Sequence, residues 1–458
     1  MASETAFHFP DSLLTSIRSV CSIDEQGLLA AHQNAPPVSV RINPLKPTDQ
    51  FNSYPKVPWC EQAFYLPERI PFIKDPLFHA GCYYVQEASS MFLETAIGQT
   101  VDLSKDLRVL DLCASPGGKS TLINSLLSEN SILISNEVIK TRIGALAENM
   151  SKWGRANVMV SNNDPKDFEG LQEYFDLIVV DAPCSGSGLF RKQLDAIDHW
   201  SEENVLHCSQ RQERILADIV PALKPGGVLI YSTCSYSPQE NEEVSGRLTK
   251  ECGLENIRIP THPDAGIVET STNNTYGYRF FPHLVSGEGF FLSAFRKTED
   301  EENTLHYKKH PFDKLQKEEE TLITPFLQMN DSLRIVKQKE NFFLINAAIE
   351  RELAFISQHL YIRKKGTLLG EIKGRDFVPH HELALSIHLS KEATSAEVDE
   401  ETALKFLKKA DFRLGEEYEK GFCTIRYKGN AIGWVKNVGN RINNYLPKEW
   451  RILMDINQ

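Results

Sequence analysis

Two stretches about fifty residues apart hold the residue types best suited to covalent chemistry: Asp181-Ala182-Pro183-Cys184 and Ser232-Thr233-Cys234-Ser235. Each closes an apolar run, Phe175-Asp176-Leu177-Ile178-Val179-Val180 before the first and Gly227-Val228-Leu229-Ile230-Tyr231 before the second. Such runs read as buried parallel strands. In an open α/β sheet, reactive groups sit just past the carboxyl ends of the strands, so two thiols and a carboxylate are expected to meet at one rim. A thiolate is a nucleophile and a carboxyl group can exchange protons. Together they suit covalent chemistry on a pyrimidine ring.

The elements that must position these groups follow from periodicity. Between about 105 and 297 strand-like and helix-like segments alternate, which predicts a mostly parallel, doubly wound α/β sheet. Strands are expected at 107–112, 132–136, 157–160, 177–181 and 228–232, with a closing strand at 290–295 approached through Gly287 and Gly289. A long helix is expected over 204–223, and Lys224-Pro225-Gly226-Gly227 turns the chain into the next strand. The region 1–100 reads mainly as helix and loop. Asp11 is expected to cap a helix to Val20, and Ser22-Ile23-Asp24-Glu25 has capping-box spacing for a helix to His32. A short strand is expected over 39–44. Residues 298–320 read as a charged linker, and 321–458 as a smaller α+β region.

A second set of strand ends suggests a cofactor. Cys113-Ala114-Ser115-Pro116-Gly117-Gly118-Lys119 follows the first strand as a glycine turn into a helix. Glycines let a ligand approach the backbone, and a helix start offers free N–H groups. A P-loop would need glycine five positions before Gly118, where Cys113 stands, which leaves nucleotide triphosphatase activity a distant alternative. Glu137 ends the second strand, where an acid can hold ribose hydroxyls. Asp164, after the third, can accept from an adenine amino group. A glycine loop, Glu137 and Asp164 on successive strand ends suit an adenosine cofactor without a pyrophosphate, and S-adenosylmethionine fits.

At this point a resemblance becomes explicit. The segments 111–119, 181–188 and 231–235 resemble the signature motifs of the NOL/NOP/Sun family of S-adenosylmethionine-dependent RNA cytosine-C5 methyltransferases. Arg41-Ile42-Asn43-Pro44 and Gln86-Glu87-Ala88-Ser89-Ser90-Met91 resemble the family's N-terminal motifs. The resemblance covers roughly 35–297; Ser115 stands where many members carry alanine. It implies a Rossmann-like methyltransferase domain over 101–297, with Cys234 as the attacking thiol, Asp181 at N3 of the base and Cys184 resolving the adduct. The cofactor would be held by residues 113–119 with Glu137, Asp164 and Asp181. Having both Pro183-Cys184 and Thr233-Cys234 points to RNA rather than DNA.

The tail 418–451 interleaves Lys420, Arg426, Lys428, Lys436, Arg441, Lys448 and Arg451 with Tyr427, Trp434, Tyr445 and Trp450. This mixture suits RNA gripped by phosphate contact and stacking, and equally a small β domain with an aromatic core and a solvated face. Gly429-Asn430-Ala431-Ile432-Gly433-Trp434 and Asn443-Asn444-Tyr445-Leu446-Pro447 resemble the PUA-like C-terminal domain of RsmF-type bacterial rRNA methyltransferases. That resemblance implies rRNA or the assembling small ribosomal subunit as partner. A tRNA substrate and a non-catalytic RNA-binding assembly factor are the alternatives. Further basic groups are Arg191 and Lys192 after the Pro-Cys loop, and Arg363-Lys364-Lys365.

The whole-chain properties bound these readings. A net charge of −12 requires any RNA footprint to be local. The nine cysteines include no Cys-x-x-Cys pair, which argues against a disulfide framework or a zinc site and fits reduced, cytoplasmic thiols; no metal is expected. The other cysteines read as inert buried thiols, with Cys113 contributing packing and backbone. The first twenty residues lack the pattern of a secretory signal, no apolar run approaches a membrane span, and oligomeric state is not legible.

Overall fold

The chain is described from a computed structural model that covers residues 8–193, 195–298, 312–415 and 418–453. The expected charged linker, 298–320, lies mostly outside these residues; of its described part, Lys317–Ile323 forms a helix.

The N-terminal region holds more than helices. Asp11–Arg18 is helical, with Asp11 as its first residue and Pro10 in the cap position, so Asp11 does not cap it. The second helix, Glu25–His32, starts at Asp24, whose carboxylate accepts the Gly27 N–H at 2.9 Å; Asp24 rather than Ser22 is the cap. Beyond it β1 (Val38–Ile42), β2 (Ala63–Leu66) and β3 (Tyr83–Val85) form an antiparallel sheet in the order β2-β1-β3.

The central sheet is built on β4 (Arg108–Asp111), β5 (Ile132–Asn136), β6 (Val158–Ser161), β7 (Phe175–Asp181) and β8 (Leu223–Thr233). These five are parallel, in the order β8-β7-β4-β5-β6. Their side chains alternate between two cores. Val109, Leu133, Leu177, Val179, Val228 and Ile230 enter one, and Leu110, Ile134, Ile178, Val180, Leu229 and Tyr231 the other. Burial on both faces explains the unbroken apolar runs. Each fully buried aliphatic side chain contributes roughly 1.5–3 kcal/mol relative to exposure. The sheet continues antiparallel through β9 (Leu254–Ile257), β10 (Val268–Thr272), β11 (Thr275–Phe280) and β12 (Phe290–Lys297); β12 lies between β8 and β11 and also pairs with β9. The order reverses at β4, and β7 and β8 are neighbours, with Asp181 opposite Ser232. The two cysteine loops therefore leave adjacent strands at the same end.

The C-terminal part opens with β13 (Leu333–Gln338) and β14 (Asn341–Asn346). The helix Glu350–His359 then lays Leu353, Phe355 and Ile356 into the second core of the central sheet, and β15 (Ile362–Lys365) pairs antiparallel with the edge strand β6. The basic run Arg363-Lys364-Lys365 is thus an edge strand. Lys364 is buried and ion-paired with Glu382, and the Lys365 amine donates to Gln338. Next, β16 (Thr367–Lys373) and β17 (Asp376–Pro379) complete a sheet in the order β13-β14-β16-β17. Finally β18 (Ser395–Glu397), β19 (Gly421–Tyr427), β20 (Asn430–Asn437) and β21 (Ile442–Asn444) form a four-stranded sheet in chain order. No helix among the described residues is long and apolar enough to cross a membrane.

Candidate active site

The two thiols meet. Cys184 Sγ lies 3.0 Å from Cys234 Sγ. Their loops are locked by backbone: Gly188 N–H donates to Cys234 O at 2.9 Å, and Gly289 N–H to Gly188 O at 3.0 Å. A Cβ on Gly188 would stand 2.5 Å from Gly289 O and 2.8 Å from Cys234 O, so the close approach requires glycine there. The bond shared with Cys234, together with burial, pushes the Cys184 thiol well above its ordinary range.

Asp181, at the end of β7, is joined to β8 and to the helix that follows β4. Its carboxylate accepts Ser232 Oγ–H at 2.8 Å and pairs with Lys119 Nζ at 2.8 Å. Burial is the largest single influence and opposes the charge on Lys119, but the attraction and hydrogen bond of Asp181, joined by Asp111 and Cys234, together raise the ammonium above its ordinary pKa. Lys119 is thereby kept charged, and Asp181 has a cation on one oxygen and a hydroxyl donor on the other.

An open cavity of about 210 Å³ adjoins this pair, lined by Cys113, Ala114, Ser115, Pro116, Gly118, Lys119 and Asp181 on one side and by Tyr84, Val85, Gln86, Glu87 and Ser90 on the other. Gly117, at φ +114°, turns the chain into the helix Gly118–Leu126. A Cβ on Gly118 would sit 3.3 Å from the Tyr84 ring, so the bare backbone forms a cradle. A cavity walled by backbone at a helix start, with a carboxylate at one end, fits a small zwitterion bearing a positive centre. Beneath it Asp111 is fully buried, accepts Ser120 Oγ–H at 2.6 Å and leaves Oδ1 without a partner. Burial, only partly offset by that bond, pushes its pKa up to about 7.

The remaining acids expected to face a cofactor do not line this cavity. Glu137 is buried at the end of β5, accepts the Ile139 N–H at 2.8 Å and lies 3.4 Å from Arg142. Arg142 donates in turn to Ser115 O at 2.6 Å, which ties Glu137 to the 113–119 loop indirectly. Asp164 caps the turn after β6, accepting Lys166 N–H at 3.3 Å, with Arg214 at 3.7 Å. Cys113 lines the cavity, and burial raises its thiol pKa, as suits a packing role.

Other basic groups fare differently from their expectation. Arg191 is committed to the protein: its guanidinium pairs with buried Glu288 at 3.0 Å and donates to Gly287 O at 2.7 Å, so phosphate contact is not its role. The tail's aromatic residues divide. Trp434 is fully buried and gives its Nε1–H to His380 O, and Tyr427 is buried. Tyr445 packs on Phe422, and Trp450 on His381. Lys420, Lys428, Arg441, Lys448 and Arg451 are exposed.

Several groups at the site were given no role from sequence, although Arg41 and Glu87 stand within the N-terminal motifs quoted above. Arg41 is buried, donates to Gly118 O at 3.1 Å and Thr121 Oγ1 at 2.6 Å, and stacks 4.7 Å from the Trp153 ring, fastening the N-terminal sheet to the helix Gly118–Leu126. Glu87 accepts the N–H groups of Ser89 and Glu288 at 2.8 Å. Glu240, buried beneath both cysteine loops, accepts from Ser185 and Ser235. The only local signal for it was a Pro238-Gln239-Glu240-Asn241 turn four residues after Cys234.

The chain matches three family models in succession: N-terminal domain of 16S rRNA methyltransferase RsmF over 9–88, 16S rRNA methyltransferase RsmB/F over 99–296, and methyltransferase RsmF PUA domain over 393–452. It is 31% identical over 470 residues to ribosomal RNA small subunit methyltransferase F of Vibrio vulnificus (strain YJ016), covering 96% of this chain and 97% of the relative. Against the protein of the same name from Aeromonas salmonicida (strain A449), identity is 31% over 475 residues with the same coverage. Among solved structures, a methyltransferase homologue from Pyrococcus horikoshii aligns with 27% identity and a TM-score of 0.52 over 63% of this chain and 95% of that one. NSun6 from the same organism, solved with SFG, aligns at 18% identity and a TM-score of 0.53 over 64% and 99%.

Proposed function

The chain belongs to the RsmB/F family of 16S rRNA methyltransferases, and on that footing we propose that it transfers a methyl group from S-adenosylmethionine to C5 of a cytidine in small-subunit rRNA. The observation that carries the reading is the pair of thiols 3.0 Å apart on adjacent strand ends, next to the Asp181–Lys119 pair.

C5 of cytosine is a poor nucleophile. Addition of the Cys234 thiolate to C6 converts the ring to an enamine whose C5 is nucleophilic. Asp181, held by Ser232 and Lys119, faces N3 and relieves the charge that develops there. Once C5 has taken the methyl group, its proton passes to solvent, the C–H electron pair re-forms the C5–C6 double bond and the C6–S bond to Cys234 breaks, while Cys184 eases the departure by hydrogen bonding to the leaving sulfur. The backbone of 113–119 with Asp181 holds the cofactor, which supplies an electrophilic methyl on a sulfonium sulfur. Glu137 is assigned to the ribose hydroxyls and Asp164 to the adenine edge. The target base must leave its stack to reach the rim. Exposed cations of the C-terminal sheet contact RNA phosphates, and the enzyme works in the cytoplasm on rRNA or the assembling subunit.

The test is transfer of labelled methyl to unmodified small-subunit rRNA, large-subunit rRNA and tRNA, each offered separately, with the rRNAs also as particles. Label is expected as 5-methylcytidine in small-subunit material alone. Label confined to tRNA would overturn the substrate, and label at any other atom would overturn the chemistry.

A further inference from the structure

The two sulfurs sit on separate loops, and a contact of 3.0 Å between them demands something that sets one loop against the other. One buried carboxylate spans the gap. Glu240 accepts the backbone N–H of Ser185 at 2.8 Å and its hydroxyl at 2.5 Å, and also the hydroxyl of Ser235. Ser185 follows Cys184 and Ser235 follows Cys234, so Glu240 grips the residue after each thiol. The two hydroxyls also approach each other at 3.2 Å.

The support extends to a third element. Gln212, on the helix Glu202–Ile219, donates to Glu240 at 3.2 Å and to Pro183 O at 2.9 Å, the residue before Cys184. Its own oxygen accepts the Tyr231 hydroxyl at 3.0 Å, and Tyr231 lies on β8 just before the Cys234 loop. Glu240 is fully buried, and its hydrogen bonds come from neutral donors. A buried charge without a cation is unfavourable unless its lone pairs are hydrogen-bonded, as those of Glu240 are. A carboxylate kept there for packing alone would be replaced at little cost by a glutamine or an apolar side chain. A carboxylate that registers two separate loops would not.

We propose that Glu240 is the positioning residue of the site: with Gln212, Ser185 and Ser235 it sets the distance between the Cys184 and Cys234 sulfurs. The proposal rests on the roles given to the two thiols above. Misplacement of a reacting group by about 1 Å can cost roughly 100-fold in rate. Glu240→Ala and Glu240→Gln are therefore expected to lower kcat about 100-fold and about 10-fold respectively, while KM for S-adenosylmethionine stays within about twofold of wild type.

A reagent that fluoresces only when it bridges two neighbouring thiols reads the geometry without any methyl transfer. Bridging of Cys184 to Cys234 is expected in the wild type and to fall at least about tenfold in Glu240→Ala, in step with kcat. Should Glu240→Ala fail to fold, the double variant Ser185→Ala/Ser235→Ala, which deletes the gripped hydroxyls and keeps the acid, is judged by the same two readings. Unchanged kcat overturns the proposal, and so does lost kcat with bridging intact. Because bridging does not depend on the substrate, a wild type that bridges its thiols yet methylates no RNA would fail the proposed function and leave this inference standing.

Discussion

The rim of the central sheet and the C-terminal sheet posed the same question, since each concentrates residues that serve either function or structure. At the rim, the groups turn toward one another and toward a cavity: two thiols in contact, an ion pair, and a buried acid with an unused oxygen. In the C-terminal sheet they separate. Trp434 and Tyr427 go inward, while Lys428, Arg441 and Lys448 stay in water. The difference teaches that spacing relative to strand ends carries positional information, whereas an interleaving of aromatic and basic residues does not. Every amphipathic strand alternates apolar and charged side chains, whatever it binds.

The contrast can be broken by substitution, beginning where the effect is largest. Cys234→Ala is expected to lower methyl transfer by on the order of a thousandfold or more at unchanged thermal midpoint, read with labelled cofactor and by calorimetry. Trp434→Ala should do the opposite, costing about 3–5 kcal/mol of stability in denaturant unfolding while the surviving folded enzyme keeps its kcat. A Trp434 variant that stays stable but loses RNA affinity would return the aromatics to a stacking role.

Asp111 sharpens the energetic side of the comparison. Its pKa is raised to about 7, so between pH 4 and 7 the folded state binds more protons than the unfolded one, and stability falls as pH rises through that window. Asp111→Asn is free of this penalty. Relative to wild type it should gain on the order of a few kcal/mol from pH 4 to pH 7, measured by paired unfolding curves. A constant difference across that range would mean that Asp111 does not titrate there. The smallest effect is reserved for the tail: Lys428→Glu with Arg441→Glu should weaken RNA binding severalfold, flatten its salt dependence and leave the thermal midpoint unmoved.

Much of the central sheet was legible because parallel strands buried on both faces are local apolar runs ending in glycine, acid or cysteine. The rim was legible for the same reason, since a strand end is a sequence position as well as a place. What escaped were contacts closed over long separations. β15 adds to β6 across some two hundred residues, and nothing in Arg363-Lys364-Lys365 marks it as an edge strand. The pairing of Arg191 was not legible because its partner, Glu288, lies on a loop nearly a hundred residues away. Glu240 drew no reading from sequence because its partners are hydroxyls, a side-chain amide and a backbone N–H, which leave no pattern of charge. Glu137 and Asp164 stand at the expected strand ends, and each accepts a backbone N–H of the turn that follows it.

The central claim is that Cys234 attacks and Cys184 releases. The most direct test incubates Cys184→Ala with S-adenosylmethionine and small-subunit rRNA, digests the RNA, and locates the remaining nucleotide on the protein by peptide mass spectrometry. A nucleotide on the peptide containing Cys234, accumulating in the variant and not in the wild type, is the predicted result. A nucleotide on any other residue, or turnover by the variant at the wild-type rate, would contradict the account.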